Sequence, residues 1–185
     1  MINEIEYLNK YDYINNDTLD QYKNEGMENV YQFHQIMFKL TFYQYKHYFK
    51  FCKEHYNCRI DSKTGRNKFG TIGGGLSVIY RTNDEWDMFD KFIKCEGCDI
   101  EEKLEDIDIE LDISDDEIRK SYELYDKSSI SLTKIEFYRL NEIYNEYVID
   151  KGEQLEVRFM STGLGHIVNI KTKDFLYCIT DITNW

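Results

Sequence analysis

Apolar positions recur at helical spacing from residue 27 to about 56. Val30, Phe33, Met37, Leu40, Phe42, Tyr45, Phe49 and Cys52 mark one side of a long amphipathic helix, or of two helices joined by a kink. The period then changes. Leu76, Val78 and Tyr80 alternate directly after Gly73, Gly74 and Gly75, which predicts a strand within 71–82. Asn83 is placed to cap a short helix over 84–95 with acids in its first turn. From 106 to 113 acid and aliphatic residues alternate without a fault, the pattern of a half-buried strand. Ser114 with Glu117, and Thr133 with Glu136, have the spacing of capping boxes and predict helices to about 126 and 148. Phe137, Leu140, Ile143, Tyr144 and Tyr147 line one side of the second helix, and Gly152 ends it. The tail reads as three antiparallel strands, 154–160, 166–171 and 175–180. Helices first and a meander last predict an α+β fold, with a long N-terminal helix and further helices packed on a small antiparallel sheet. No repeat or low-complexity linker divides the chain. The expectation is one domain over 1–185, containing an acidic segment at 84–117 and a β-meander at 153–185.

Composition sharpens this picture in two ways. The chain of 185 residues is 42% apolar and 31% charged, enough to bury a core. It has no proline and no alanine, while Ile, Asn, Lys and Tyr abound, which fits a gene from an AT-rich genome. Without alanine the helices must rely on packed aromatic and aliphatic faces. No apolar stretch is long enough to span a bilayer, and the acidic first twenty residues lack an export-type apolar run. No membrane association is expected, and the cytoplasm is the expected compartment. Five cysteines, an odd number, then point to free or metal-bound thiols in a reducing environment.

Charge is the most uneven property. The net charge is −12, and residues 84–117 hold sixteen acids against Lys91, Lys94 and Lys103, a local net of −13. The rest of the chain carries 20 basic and 19 acidic residues. Strand alternation would set Asp106, Asp108, Glu110 and Asp112 on one face, repeating about every 6.6–6.8 Å, on the order of a phosphate spacing. A row like that could enter a cationic groove that otherwise holds DNA or RNA. The same row could equally be an ordinary solvated face, and the partner-binding candidates are Asp99, Glu101, Glu102, Glu105, Asp106, Asp108, Glu110, Asp112, Asp115 and Asp116. Asp106, Asp108, Glu110, Asp112, Ser114 and Glu117 also fall in the register of an EF-hand calcium loop, but Leu111 stands where that loop turns on glycine. The opposite pole is 46–68, where seven Lys and Arg face two acids among interleaved aromatics. That mixture suits single-stranded nucleic acid; it equally suits a helix with its rings inward and its lysines in water.

Cys52, His55, Cys58, Cys95 and Cys98 form the one metal-like constellation. Thiolates and an imidazole, with a Cys-Glu-Gly-Cys turn, are zinc chemistry. Zinc is therefore the one cofactor in view, against an expectation of none. Cys178 falls within a predicted strand and reads as core. No HExxH, G-x-S-x-G or phosphate-loop motif occurs, so no enzymatic activity is expected.

The strand region FGTIGGGLSVIY (69–80) and the tail STGLGHIVNIKTKDFLYCITDITNW (161–185) resemble small proteins of phages and prophages of low-GC bacteria. Those proteins often end in a Gly-Leu-Gly strand and an Asp-Ile-Thr…Trp close, matched here by Gly163, Leu164, Gly165, Asp181, Ile182, Thr183 and Trp185. Anti-CRISPR inhibitors are among proteins of this kind. The resemblance implies a phage-encoded inhibitor of a bacterial defence nuclease, acting in the host bacterial cytoplasm. Its partner would be a basic nucleic-acid-binding effector such as a CRISPR nuclease, or that effector's guide RNA. The alternative is a zinc-stabilised or single-stranded-nucleic-acid-binding accessory protein acting through 46–68.

Overall fold

A computed structural model describes residues 38–66, 68, 75–83, 89–127, 131–162 and 165–181. These residues form an α+β structure of three α-helices and one antiparallel sheet. The helices are α1 (Phe42–Glu54), α2 (Asp115–Lys127) and α3 (Lys134–Tyr144), the last continued by a π-helical turn, Asn145–Asp150. The strands are β1 (Leu76–Thr82), β2 (Phe89–Cys95), β3 (Ile100–Lys103), β4 (Glu156–Thr162), β5 (Gly165–Lys171) and β6 (Leu176–Cys178), in the order β3-β2-β1-β4-β5-β6. Among the described residues no helix is long and apolar enough to cross a membrane.

The sheet register puts the apolar set on one face. Val78 lies opposite Ile93 and Phe159, Phe159 opposite Val168, and Ile170 opposite Tyr177. Paired residues in an antiparallel ladder share a face, and all of these are buried in one core with Phe38, Leu40, Phe51, Phe137, Leu140 and Ile143. The other face carries ion pairs: Arg81 binds Glu101 and Glu156, while Arg158 binds Glu156 and Glu96. The helices therefore cover one side of the sheet. Tyr80 shows how tightly: its hydroxyl, fully buried, donates to the Phe38 carbonyl at 2.5 Å.

Local chemistry starts each helix. Thr41 caps α1 and Thr133 caps α3, each with a complete capping box, through Gln44 and Glu136. At the start of α2 the Ser114 hydroxyl accepts from the Glu117 N–H and donates to the Glu117 carboxylate, so the cap forms without the reciprocal bond to the Ser114 backbone. Helix α2 lies on α1 through rings, with Tyr45 at 5.0 Å from Tyr125 and Arg119 stacked over Phe42. The π-helical turn ends at Gly152, whose φ of +66° is the left-handed conformation that glycine adopts freely.

Four expectations need correction. Within the predicted 27–56 helix, residues 38–41 form a turn, and helix begins only at Phe42; residues 27–37 lie outside the described part. The predicted helix over 84–95 is strand β2 where it is described, because seven residues pair along the whole of β1. The predicted strand over 106–113 has no regular structure. The chain leaves the sheet at Leu104, whose N–H makes a last bond to the Lys91 carbonyl; β2 begins at Phe89, so no described strand remains beside 106–113. Cys178, expected in the core, is exposed on β6. Residues 69–74, Gly163, Leu164 and 182–185 lie outside the described part.

Candidate metal centre and acidic face

Two chain segments build the metal centre. The first is the end of α1, where His55 follows Glu54 and Cys58 sits in a 3-10 turn, Asn57–Arg59. The second is the turn between β2 and β3, with Cys95 closing β2 and Cys98 three residues on. Cys95 lies opposite Leu76 on the helix-covered face of the sheet, and it is fully buried. One ligand atom from each of His55, Cys58, Cys95 and Cys98 lies within 4.8 Å of all the others. His55 Nδ1 is 3.3 Å from Cys98 Sγ and 4.0 Å from Cys58 Sγ. A tetrahedral zinc with Zn–S bonds of about 2.3 Å sets its sulfurs about 3.8 Å apart, so the cluster needs only a small contraction to close on an ion. Three thiols and one imidazole therefore form a group that could hold a metal.

Gly97 makes this approach possible. A Cβ there would stand 2.5 Å from the Cys58 carbonyl oxygen and 3.0 Å from its carbon. The turn rests its backbone directly on Cys58, whose carbonyl also accepts from Lys68 Nζ at 2.9 Å. Cys52, the fifth expected ligand, is not part of the group. One helical turn before His55, it packs against the core, and burial pushes its thiol up to about 11. The Cys52-x2-His55 spacing puts the two on neighbouring helix positions, but only His55 lies beyond the last turn, facing the hairpin.

The acidic candidates are exposed, yet they are not equivalent. Lys46, although buried, reaches Asp108 at 2.5 Å and Asp115 at 2.9 Å. These bonds push the lysine above its ordinary range, and the same ammonium holds the Asp108 carboxyl below its own. Asp106 accepts from the Thr41 hydroxyl at 2.5 Å, and His47 Nε2 lies 3.2 Å from the Ile107 carbonyl. Helix α1 thus pins the loop that the alternation had placed in a strand. Asp99 pairs with Lys94 at 2.6 Å, and Glu101 with Arg81 on the far face of the sheet. The side chains of Glu110, Asp112 and Asp116 are exposed and make no hydrogen bond or ion pair to a described residue, while Glu105, also exposed, acts through its charge on Lys103. The regular phosphate-like spacing is absent with the strand. The residues of the EF-hand register do not gather three carboxylates at one point either.

In the basic segment the rings turn inward. Tyr45 and Phe51 are buried, and Tyr48 stacks on Tyr45 and meets Tyr125 at a tilt. Tyr56 stays exposed beneath Arg59. Sequence spacing missed Lys46 as the anchor of the acidic loop; it marked the glycine of Cys-Glu-Gly-Cys as a turn residue but not its close approach to Cys58. No family model, curated protein or solved structure matches this chain.

Proposed function

We propose that the protein is a non-catalytic inhibitor that docks its acidic loop on a basic nucleic-acid-handling protein and excludes DNA or RNA from it. One observation carries this reading: Glu110 and Asp112 are exposed, with no ion pair to a described residue, on a loop that Lys46, Thr41 and His47 hold to α1, and Asp116 is exposed in the first turn of α2 beside it. A loop held before binding loses little backbone freedom on docking, and a cationic cleft offers its carboxylates what they lack. The resemblance of the tail to phage proteins points to a bacterial defence nuclease, a CRISPR nuclease first of all, as the target. The inward rings of 45–51 favour this over stacking on single-stranded nucleic acid.

The test is displacement of DNA from a CRISPR nuclease by the full chain, read by gel shift at two salt concentrations. Glu110→Lys with Asp112→Lys should weaken inhibition more than tenfold. Glu123→Lys with Asp174→Lys, exposed and equal in charge change, should not. Wild-type inhibition should fall with salt. Equal losses from the two pairs, or no displacement by the wild type, refute the docking face.

The thiol-rich donor set further supports zinc as the ion of the metal centre, in a structural role. Four protein donors complete a tetrahedron and leave no open position for a substrate. Elemental analysis of protein purified without chelator should return one zinc per chain; its absence refutes this assignment.

A further inference from the structure

A metal-bound imidazole has a second nitrogen, and what that nitrogen meets governs how well the first one binds. Here Nδ1 faces the thiols, which leaves Nε2 on the other side of the ring. Two carboxylates are nearby. One oxygen each from Glu54 and Glu102 lies within 4.8 Å of a His55 ring nitrogen and of each other. They are not equally available. Glu54 is already 3.9 Å from the Lys50 ammonium one helical turn away. Glu102 makes no ion pair among the described residues.

The sheet register explains why Glu102 is there. It lies opposite Ile93, and Ile100 lies opposite Cys95, so both share the face on which α1 packs. Glu101 alternates to the other face and binds Arg81. An acid at 102 on this edge strand therefore points to the side of the sheet where the end of α1 and His55 lie.

Resting on the zinc assignment above, we propose that Glu102 is the positioning residue of the metal centre. Its carboxylate accepts the Nε2–H of His55 while Nδ1 holds the ion. Such a carboxylate fixes the ring's tautomer and orientation and makes it a stronger donor to the metal. It also ties the edge strand β3 to α1 through the ring, independently of the cysteine turn. Glu102, grouped by sequence with the acids that would meet a partner, then serves the protein's own metal.

The test measures zinc affinity of the full chain by competition with a chromophoric chelator. Loss of an outer-shell partner of this kind lowers metal affinity about 10–100-fold, and Glu102→Leu should fall in that range. Glu102→Gln, which keeps an acceptor oxygen, should recover part of the loss. Glu105→Leu, with the same charge change, and Glu54→Leu should both match the wild type. In the zinc-loaded protein, the His55 Nε2–H should give an exchange-protected proton NMR signal that Glu102→Leu abolishes. Wild-type affinity in Glu102→Leu, or a loss at Glu54→Leu as large as at Glu102→Leu, overturns the assignment. A wild type that takes up no zinc refutes the zinc reading itself, a result separable from the first two.

Discussion

Replacing Gly97 by alanine tests the metal centre with a single methyl group. The added Cβ would stand 2.5 Å from the Cys58 carbonyl oxygen, where carbon and oxygen in contact keep about 3.3–3.6 Å. The turn and Cys58 must therefore separate by about 1 Å. The obstacle is backbone, already tied to Lys68, so no side chain can swing aside. Metal–ligand distances hold within about 0.2 Å, so a shift of that size separates Cys95 and Cys98 from His55 and Cys58. Overpacking of this kind costs about 1–3 kcal/mol, which is about 2–12 °C in melting temperature for a chain of this length. Scanning fluorimetry with zinc, and again with chelator, is the assay. In zinc the gap between wild type and Gly97→Ala should be widest, because only the wild type gains the ion's stabilisation. In chelator it should shrink to the steric cost. A Gly97→Ala protein that binds zinc with wild-type affinity and melts with the wild type would refute the contact between the turn and Cys58.

Two further outcomes follow from the same geometry. Lys46→Met leaves Asp108 and Asp115 side by side without their cation, so the acidic loop should exchange its amide hydrogens faster and the melting temperature should fall by a few degrees. Asp108 is held below its ordinary range, so its share of stability is present above about pH 4 and is lost as pH falls through the depressed value. Lys46 is held above its range, so its share is lost only as pH rises through that raised value; melting curves against pH should show wild type and Lys46→Met converging at both extremes. Cys52→Val should leave zinc stoichiometry unchanged, and the Cys52 thiol should react slowly with alkylating reagents at neutral pH, because burial pushes it up to about 11. Loss of zinc in Cys52→Val would show that the ligand set is drawn wrongly.

Local signals carried far where one segment decides the outcome. The cap at Ser114, the capping box at Thr133, the meander of 154–180 and the stop at Gly152 were all legible, because each depends on bonds within a few residues. Thr41 with Gln44 is an equally clear capping box, but the apolar period runs across it and hides the break. The strand β2 was obscured because Asn83 and the acids after it are helix-start signals of residue type alone, and they say nothing of a neighbouring strand. Full pairing along β1 settled it. The alternation of 106–113 misled for the opposite reason: the pattern suits a strand, but no described strand lies beside it, and Ile107 is 61% exposed.

The sequence by itself determined the α+β class, the lopsided charge and the thiol–imidazole chemistry, since all three are properties of residue type and near spacing. Only the tertiary structure decided which of five candidates meet at one point, because 36 residues separate Cys58 from Cys95 and the contact of the β2–β3 turn with Cys58 closes that gap. It alone divided the acids into those held by Lys46, Thr41, Lys94 and Arg81 and those left facing water. Coulomb attraction depends on distance through space, and distance along the chain does not fix it.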